Sequence, residues 1–242
     1  MIIGIAQTRP IKGEIAANIS LHKQFAELAA SLGARALFFP ELSLTGYEPE
    51  LAKALAINPD DKRLNDFQHI SDIKKMAIGL GIPTKAKMGI RISMIVFQPD
   101  KPRRTYSKQH LHSDELPYFE SGDGQMILTV KNKKIAPAIC YESLQPAHAA
   151  QAVSLGAELY LASVAKSQNG VNKAMTHYPE MARSYTMPVL MSNCVGFCDN
   201  FLSVGGSAVW TKQGHLARQL DDKQEGLLIF DTETEAVTRQ IL

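Results

Sequence analysis

The sequence predicts one α/β domain with buried central strands and helices on its faces, and three observations carry that prediction. Short apolar runs rich in β-branched or aromatic residues recur along the chain. Helical apolar patterns separate several of them. Hydrophobic residues make up 45% of the 242 positions, enough for one sizeable core. The runs that read as buried strands are Ile2 to Ala6, Ala36 to Phe39, Ile92 to Phe97, Ile135 to Ile139, Glu158 to Ala162 and Val189 to Ser192. Glu14 to Leu32 puts Ile15, Ile19, Leu21, Phe25, Leu28, Ala29 and Leu32 on roughly one helical face and stops at Gly33. Asp60 to Leu80 has the same character, with Leu64, Phe67, Ile70, Ile73 and Ala77 apolar and Gly79 and Gly81 closing it. Leu144 to Leu155 ends at Gly156, and Lys173 to Met187 ends before Pro188. Gly205 to Ile241 reads as strands joined by turns such as KQG and DTET. No Pro/Ser-rich linker, low-complexity tract or repeat divides residues 1–242, so a single domain is expected.

Composition narrows the function. A formal net charge of +2, with Lys and Arg scattered, predicts neither nucleic acid nor an anionic membrane as a partner. The one dense basic cluster, Lys101, Arg103, Arg104 and Lys108, reads as a solvated turn apart from Lys108. Three cysteines are too few for a disulfide scaffold, and Cys194 and Cys198 lack companions for a metal tetrad, so a structural role is expected for that pair. His110 and His112 have no third ligand nearby and read as surface residues; no metal site is expected. Met175, Met181, Met187 and Met191 read as core filling. The opening MIIGIAQTRP does not have the form of a signal peptide, and no apolar stretch approaches membrane-spanning length. A cytoplasmic, reducing location is the expectation.

Three reactive or charged residues fall at strand ends. Glu41 follows the run Ala36 to Pro40, where partial burial raises a carboxyl pKa and a nearby cation lowers it. It is either a tuned general base or a loop carboxylate. Lys108 follows the strand-like RTYS and precedes a shaped loop holding Glu115, Pro117, Glu120, Gly122 and Gly124. It is either a surface lysine or a fixed cation for a developing oxyanion. Cys140 ends IAPAI and is followed by what reads as a helix start, whose N-terminal dipole and free N–H groups favour a thiolate. It is either an inert buried thiol or a nucleophile. A nucleophile needs a base and an electrophilic stabiliser, so the three together point to one site.

The segments FFPELSLTGY, YSKQHLHSDELPYFESGD and ICYESLQP resemble, in order, the three active-site blocks of the carbon–nitrogen hydrolase (nitrilase) superfamily. Later similarity at Arg183, Asn193, Gly196, Gly206, Ser207 and Gly214 extends the resemblance over nearly the whole chain. It implies a four-layer αββα sandwich, commonly paired into a homodimer through its helices, and no cofactor. It also implies Glu41 as general base, Lys108 as oxyanion cation and Cys140 as nucleophile. Glu115 becomes the second glutamate, and Tyr141, Glu142 and Leu144 become supporting or substrate-binding residues. Asn193 and Arg183 are expected to be structural hydrogen-bonding partners. The expected reaction is hydrolysis of a small amide through a thioester. A nitrile substrate, or a non-catalytic binding protein that keeps the fold, is the alternative.

This chain departs from the amidase pattern at one informative position. Many relatives carry Arg where this sequence has Leu144, and that Arg holds a substrate carboxylate. Leu144 therefore predicts preference for an uncharged acyl group.

Overall fold

The computed structural model describes all 242 residues. In chain order the first half holds β1 (Ile2–Gln7), α1 (Ile15–Ser31), β2 (Ala36–Phe38), α2 (Ala52–Leu55), α3 (Asn65–Lys74), β3 (Ala77–Lys85), β4 (Ile90–Gln98), β5 (Lys101–Ser107) and β6 (Leu128–Val130). There follow β7 (Lys133–Ile139), α4 (Pro146–Ser154), β8 (Leu159–Val164), α5 (Gln168–Tyr185), β9 (Val189–Asn193), β10 (Val195–Cys198) and β11 (Phe201–Val204). The chain closes with β12 (Ala208–Trp210), β13 (Leu216–Gln219), β14 (Gly226–Asp231) and β15 (Val237–Ile241).

The strands form two mixed sheets and a hairpin. One sheet has the order β15-β14-β1-β2-β3-β4-β5, the other β13-β12-β9-β8-β7-β6, and β10 pairs with β11 alone. Period-two alternation decides the layering. In β2, Ala36 and Phe38 face the second sheet, whereas Leu37 turns to the helix side. In β8, Leu159 and Leu161 meet the first sheet while Tyr160 and Ala162 pack on helices. Phe25, Ala26 and Ala29 of α1 and Phe67 of α3 cover the first sheet. Ala149 and Ala152 of α4, and Ala174, Tyr178 and Met181 of α5, cover the second. Three apolar interfaces, helix on sheet, sheet on sheet and sheet on helix, make the four-layer αββα sandwich.

Most expected elements are present, with instructive shifts. The pattern over Asp60 to Leu80 is not one helix. Lys75 adopts φ +51° and ends α3, and Ala77, Ile78 and Leu80 enter the buried strand β3. Gly79 and Gly81 are therefore strand residues, not helix stops. The apolar spacing of a strand buried on both faces had mimicked a helical stripe. The α4 helix begins at Pro146 rather than Leu144, because a five-residue 3₁₀ turn, Cys140–Leu144, intervenes. The α5 helix begins at Gln168, five residues before Lys173, across the weak helix formers Asn169 and Gly170. The basic cluster at Lys101 to Arg104 is no turn but edge strand β5, antiparallel to β4, where Pro102 is tolerated. No helix of the protein is long and apolar enough to cross a membrane.

Candidate active site

Three strand ends converge at one rim of the sheet-on-sheet interface. Glu41 follows β2 and Lys108 follows β5, both in the first sheet, while Cys140 follows β7 in the second. The Glu41 loop is fixed from two sides. Gly81 in β3 has no Cβ because one would stand 2.3 Å from the Pro40 carbonyl oxygen and 2.5 Å from the Leu42 nitrogen. Any side chain there would push Glu41 out of place. From α1, Asn18 Nδ2 donates to the Leu44 carbonyl at 3.1 Å, and His22 Nε2 lies 2.9 Å from Ser43 Oγ. His22 stacks on Phe39 with centroids 4.0 Å apart, and burial lowers its pKa to about 3, so it acts as a neutral prop.

Lys108 is fully buried and held by two carboxylates. Its Nζ donates to Glu41 Oε1 at 2.8 Å and to Glu115 Oε1 at 2.5 Å. Glu115 accepts further bonds from Tyr47 Oη at 3.0 Å and from the His112 backbone N–H at 2.7 Å, which lock its rotamer. The ammonium has three N–H donors, and these two bonds use two. Burial alone depresses the Lys108 pKa, but the Glu41 and Glu115 charges outweigh it and hold the group cationic. Glu41 is raised above the ordinary carboxylate range, first by burial and next, against Lys108, by the Glu115 charge. Its second oxygen, Oε2, is buried without a hydrogen-bond partner. Such an atom in a native site marks a position reserved for a proton or ligand.

Cys140 sits at φ +50°, in the left-handed region that costs an L-residue about 1–2 kcal/mol. The strain is balanced by the turn that follows. Ser143 Oγ donates to the Cys140 carbonyl at 2.5 Å and lies 2.6 Å from Tyr178 Oη. Glu142 binds both sides of the site: Oε1 accepts from Ile139 N–H at 2.7 Å and Tyr106 Oη at 2.5 Å, and Oε2 from Gln109 N–H at 2.7 Å. One buried carboxylate thus fastens the cysteine turn to the lysine loop. Glu142 lies outside the cavity, so its part is positioning rather than substrate contact.

The thiolate expected from a helix start is overturned. Burial first, then the Glu41 charge, push the Cys140 thiol up to about 12, against the opposing charges of Lys166 and Lys108. The short 3₁₀ turn does not offset a carboxylate in a dry setting. The resting thiol is protonated and needs a base.

A cavity of about 380 Å³ opens over these groups. Cys140, Lys108, Glu115, Tyr141 and Leu144 all line it, as do His112 and Asp114 at 2.5 Å from one another. Lys166, Ser167 and Lys173 also line it, and none of the three was singled out from the sequence. Phe201 of β11 packs against Tyr47 with centroids 5.7 Å apart, so the hairpin forms part of the wall. Asn193 is structural: it accepts from Lys166 N–H at 2.9 Å and donates to the Gly205 carbonyl at 2.6 Å. Cys194 and Cys198 are buried free thiols 3.7 Å apart, and Met181, Met187 and Met191 fill the core.

Comparison with known proteins bears on the fold and the family. An amidase from Nesterenkonia sp. AN1 superimposes with a TM-score of 0.87 at 22% identity, covering 96% of this chain and 92% of the amidase. A mutant of that amidase in complex with butyramide gives the same TM-score at 21% identity, over 97% of this chain and 92% of the amidase. Among curated proteins, the glutamine-dependent NAD(+) synthetase of Thermotoga maritima is 24% identical over 96% of this chain and 42% of its own length. That of Acinetobacter baylyi is 26% identical over 96% of this chain and 44% of its own length. The chain thus spans less than half the length of these curated relatives. Residues 2–240 match the carbon–nitrogen hydrolase family, and the chain belongs to that family of hydrolases.

Proposed function

We propose that this chain hydrolyses a small amide through a thioester on Cys140, with Glu41 as general base and Lys108 as oxyanion cation. The observation that carries the reading is the buried Lys108 bridging Glu41 and Glu115 beside a strained Cys140 on the cavity floor. The unpartnered Oε2 of Glu41 accepts the thiol proton as sulfur attacks the carbonyl carbon. The third N–H of Lys108 and the backbone N–H of Tyr141 take the developing oxyanion, where a preorganised donor is worth ~3–4 kcal/mol. Collapse breaks the C–N bond, and the proton on Glu41 leaves with the nitrogen as ammonia or an amine. Water then attacks the thioester, giving a proton to Glu41. The acid departs, and the proton returns to sulfur. Every proton is carried by one carboxylate, and no cofactor is required by these steps.

The amidases and glutamine-dependent synthetases among the relatives support an amide over a nitrile. The test is ammonia release from a panel of primary amides and nitriles of matched chain length. Amides are expected to turn over faster, and a nitrile-only profile would overturn the reading. Glu41 must be ionised to take the proton, and its pKa is raised. Activity is therefore full above that pKa and lost as pH falls through it. The acid limb of kcat/KM is expected to lie above the ordinary carboxylate range of about 4. An acid limb at or below that value would remove Glu41 as the base.

We also propose a homodimer formed through outer-layer helices, supported by the family resemblance and by the prevalence of two-fold pairs. Light scattering at high micromolar concentration is expected to give twice the monomer mass, and a monomer there would contradict it.

A further inference from the structure

Lys166 is the unexplained group of this cavity. It follows β8, is 5% exposed and lines the cavity, yet its ammonium has no carboxylate or hydrogen-bond acceptor from the protein. Lys108, 0% exposed, has two carboxylates. A buried cation without a counter-charge is costly, so its retention calls for an anion from outside. The chain makes room for it: a Cβ on Gly170 would stand 3.1 Å from Lys166 Cβ and 3.2 Å from its Cγ. The Lys166 stem therefore lies flat against the first turn of α5.

The surroundings favour the same sign of ligand. Ser167 is the N-cap of the 18-residue α5, its side chain makes no capping bond, and no acidic residue occupies the first helical turn. The helix therefore presents uncapped N–H groups and its positive dipole end to the cavity. Lys173, one turn further along α5, lines the same cavity and is also free of an ion-pair partner. The two acidic residues that line the cavity are both engaged, Asp114 by His112 Nδ1 at 2.5 Å and Glu115 by Lys108.

We propose that this side of the cavity is a subsite for a carboxylate carried by the amide substrate, with Lys166 as its specificity-determining residue. Ser167 Oγ, the first N–H groups of α5 and Lys173 complete the subsite. The inference rests on the amide-hydrolase reading above and names its substrate class: a short acyl chain with the scissile amide at one end and a carboxylate at the other. It reverses the preference for uncharged acyl groups expected from Leu144. The cation lost at position 144 is supplied from the neighbouring helix, and Leu144 is left to contact the methylene chain.

The test compares glutaramic acid with glutaramide, which differ only in the distal carboxylate. Wild-type protein is expected to favour glutaramic acid in kcat/KM by about tenfold or more. Lys166→Met is expected to bring that ratio down to about one, a loss of about tenfold or more, and Lys166→Arg to retain most of it. A wild-type preference for glutaramide overturns the subsite. So does an equal loss on both substrates in Lys166→Met, which would assign Lys166 to the nucleophile instead. Binding read by calorimetry on Cys140→Ala protein separates this inference from the reaction itself. Glutaramic acid is expected to bind more tightly than glutaramide, and Lys166→Met to erase the difference. If wild-type protein hydrolyses neither amide but this binding difference is present, the hydrolase reading fails and the subsite stands. If Cys140→Ala binds both equally, the subsite fails whatever the turnover. Thermal melting of Lys166→Met beside Lys166→Arg distinguishes misfolding from a lost contact.

Discussion

Replacing Cys140 with Ala is expected to abolish amide turnover, by on the order of 10⁵-fold or more, while leaving the fold intact. No other thiol is near enough to substitute, since Cys194 and Cys198 are buried and paired with one another outside the cavity. The stability cost is small because the side chain is only partly enclosed, and Ala removes one sulfur from a φ of +50° without adding bulk. Adding Glu41→Gln to Cys140→Ala is expected to cost little more, because residues that act on one step lose their effect together. Ammonia release and a thermal melt check both halves. Activity within tenfold of wild type in Cys140→Ala would remove the nucleophile assignment.

Lys108→Met is expected to damage both activity and stability. Activity loses a preorganised oxyanion donor, about 10²–10³-fold, and more if Glu41 is displaced. Stability suffers because Glu41 and Glu115, 2% and 1% exposed, are left facing each other without a cation. Breaking a buried pair from one side typically costs about 3–5 kcal/mol. The loss should depend on pH in a definite direction. Without Lys108 the charge that opposes burial at Glu41 is gone, so its folded pKa, already raised, moves further up and the native state binds more protons than the unfolded chain. Stability is then retained at low pH and lost as pH rises through the raised folded pKa of Glu41, by up to about 1.4 kcal/mol per unit. Denaturant unfolding of Lys108→Met and wild type at mildly acidic and mildly alkaline pH checks this. A deficit that does not grow toward alkaline pH would contradict the buried, cation-dependent carboxylates described above.

The site was legible where a simple rule applied, and was missed where the rule was applied to the wrong residue. Glu41 and Cys140 each follow a buried strand and Lys108 follows the edge strand β5, and their motif blocks are visible in the chain. Their convergence is not: it depends on which sheet each strand joins, and a parallel neighbour such as β8 beside β7 is set by long-range pairing. Lys166 obeys the same strand-end rule, but the strand was closed at Ala162 when it runs to Val164, so the lysine behind it went unnoticed. The helical pattern from Lys173 starts five residues inside a helix that begins at Gln168, so the sequence does not show the uncapped N-terminus beside the cavity. Glu142 is expected from the motif to be a supporting or substrate-binding residue, and the sequence does not say which. Its orientation toward Ile139, Tyr106 and Gln109 reflects the 3₁₀ turn, whose geometry no periodicity reveals. The Asp60 to Leu80 error has a related cause: β3 is buried on both faces and lacks the alternation that identifies a half-exposed strand.

The central claim is that Cys140 becomes acylated during turnover, and rapid-quench intact-mass analysis of the protein mixed with an amide tests it most directly. Within the first turnovers, wild-type protein is expected to gain the mass of the acyl group, and peptide mapping is expected to place that mass on Cys140. The adduct is expected to decay with release of the acid, and Cys140→Ala is expected to show none. Steady ammonia release with an unmodified Cys140, or with the acyl group on another residue, would contradict the account.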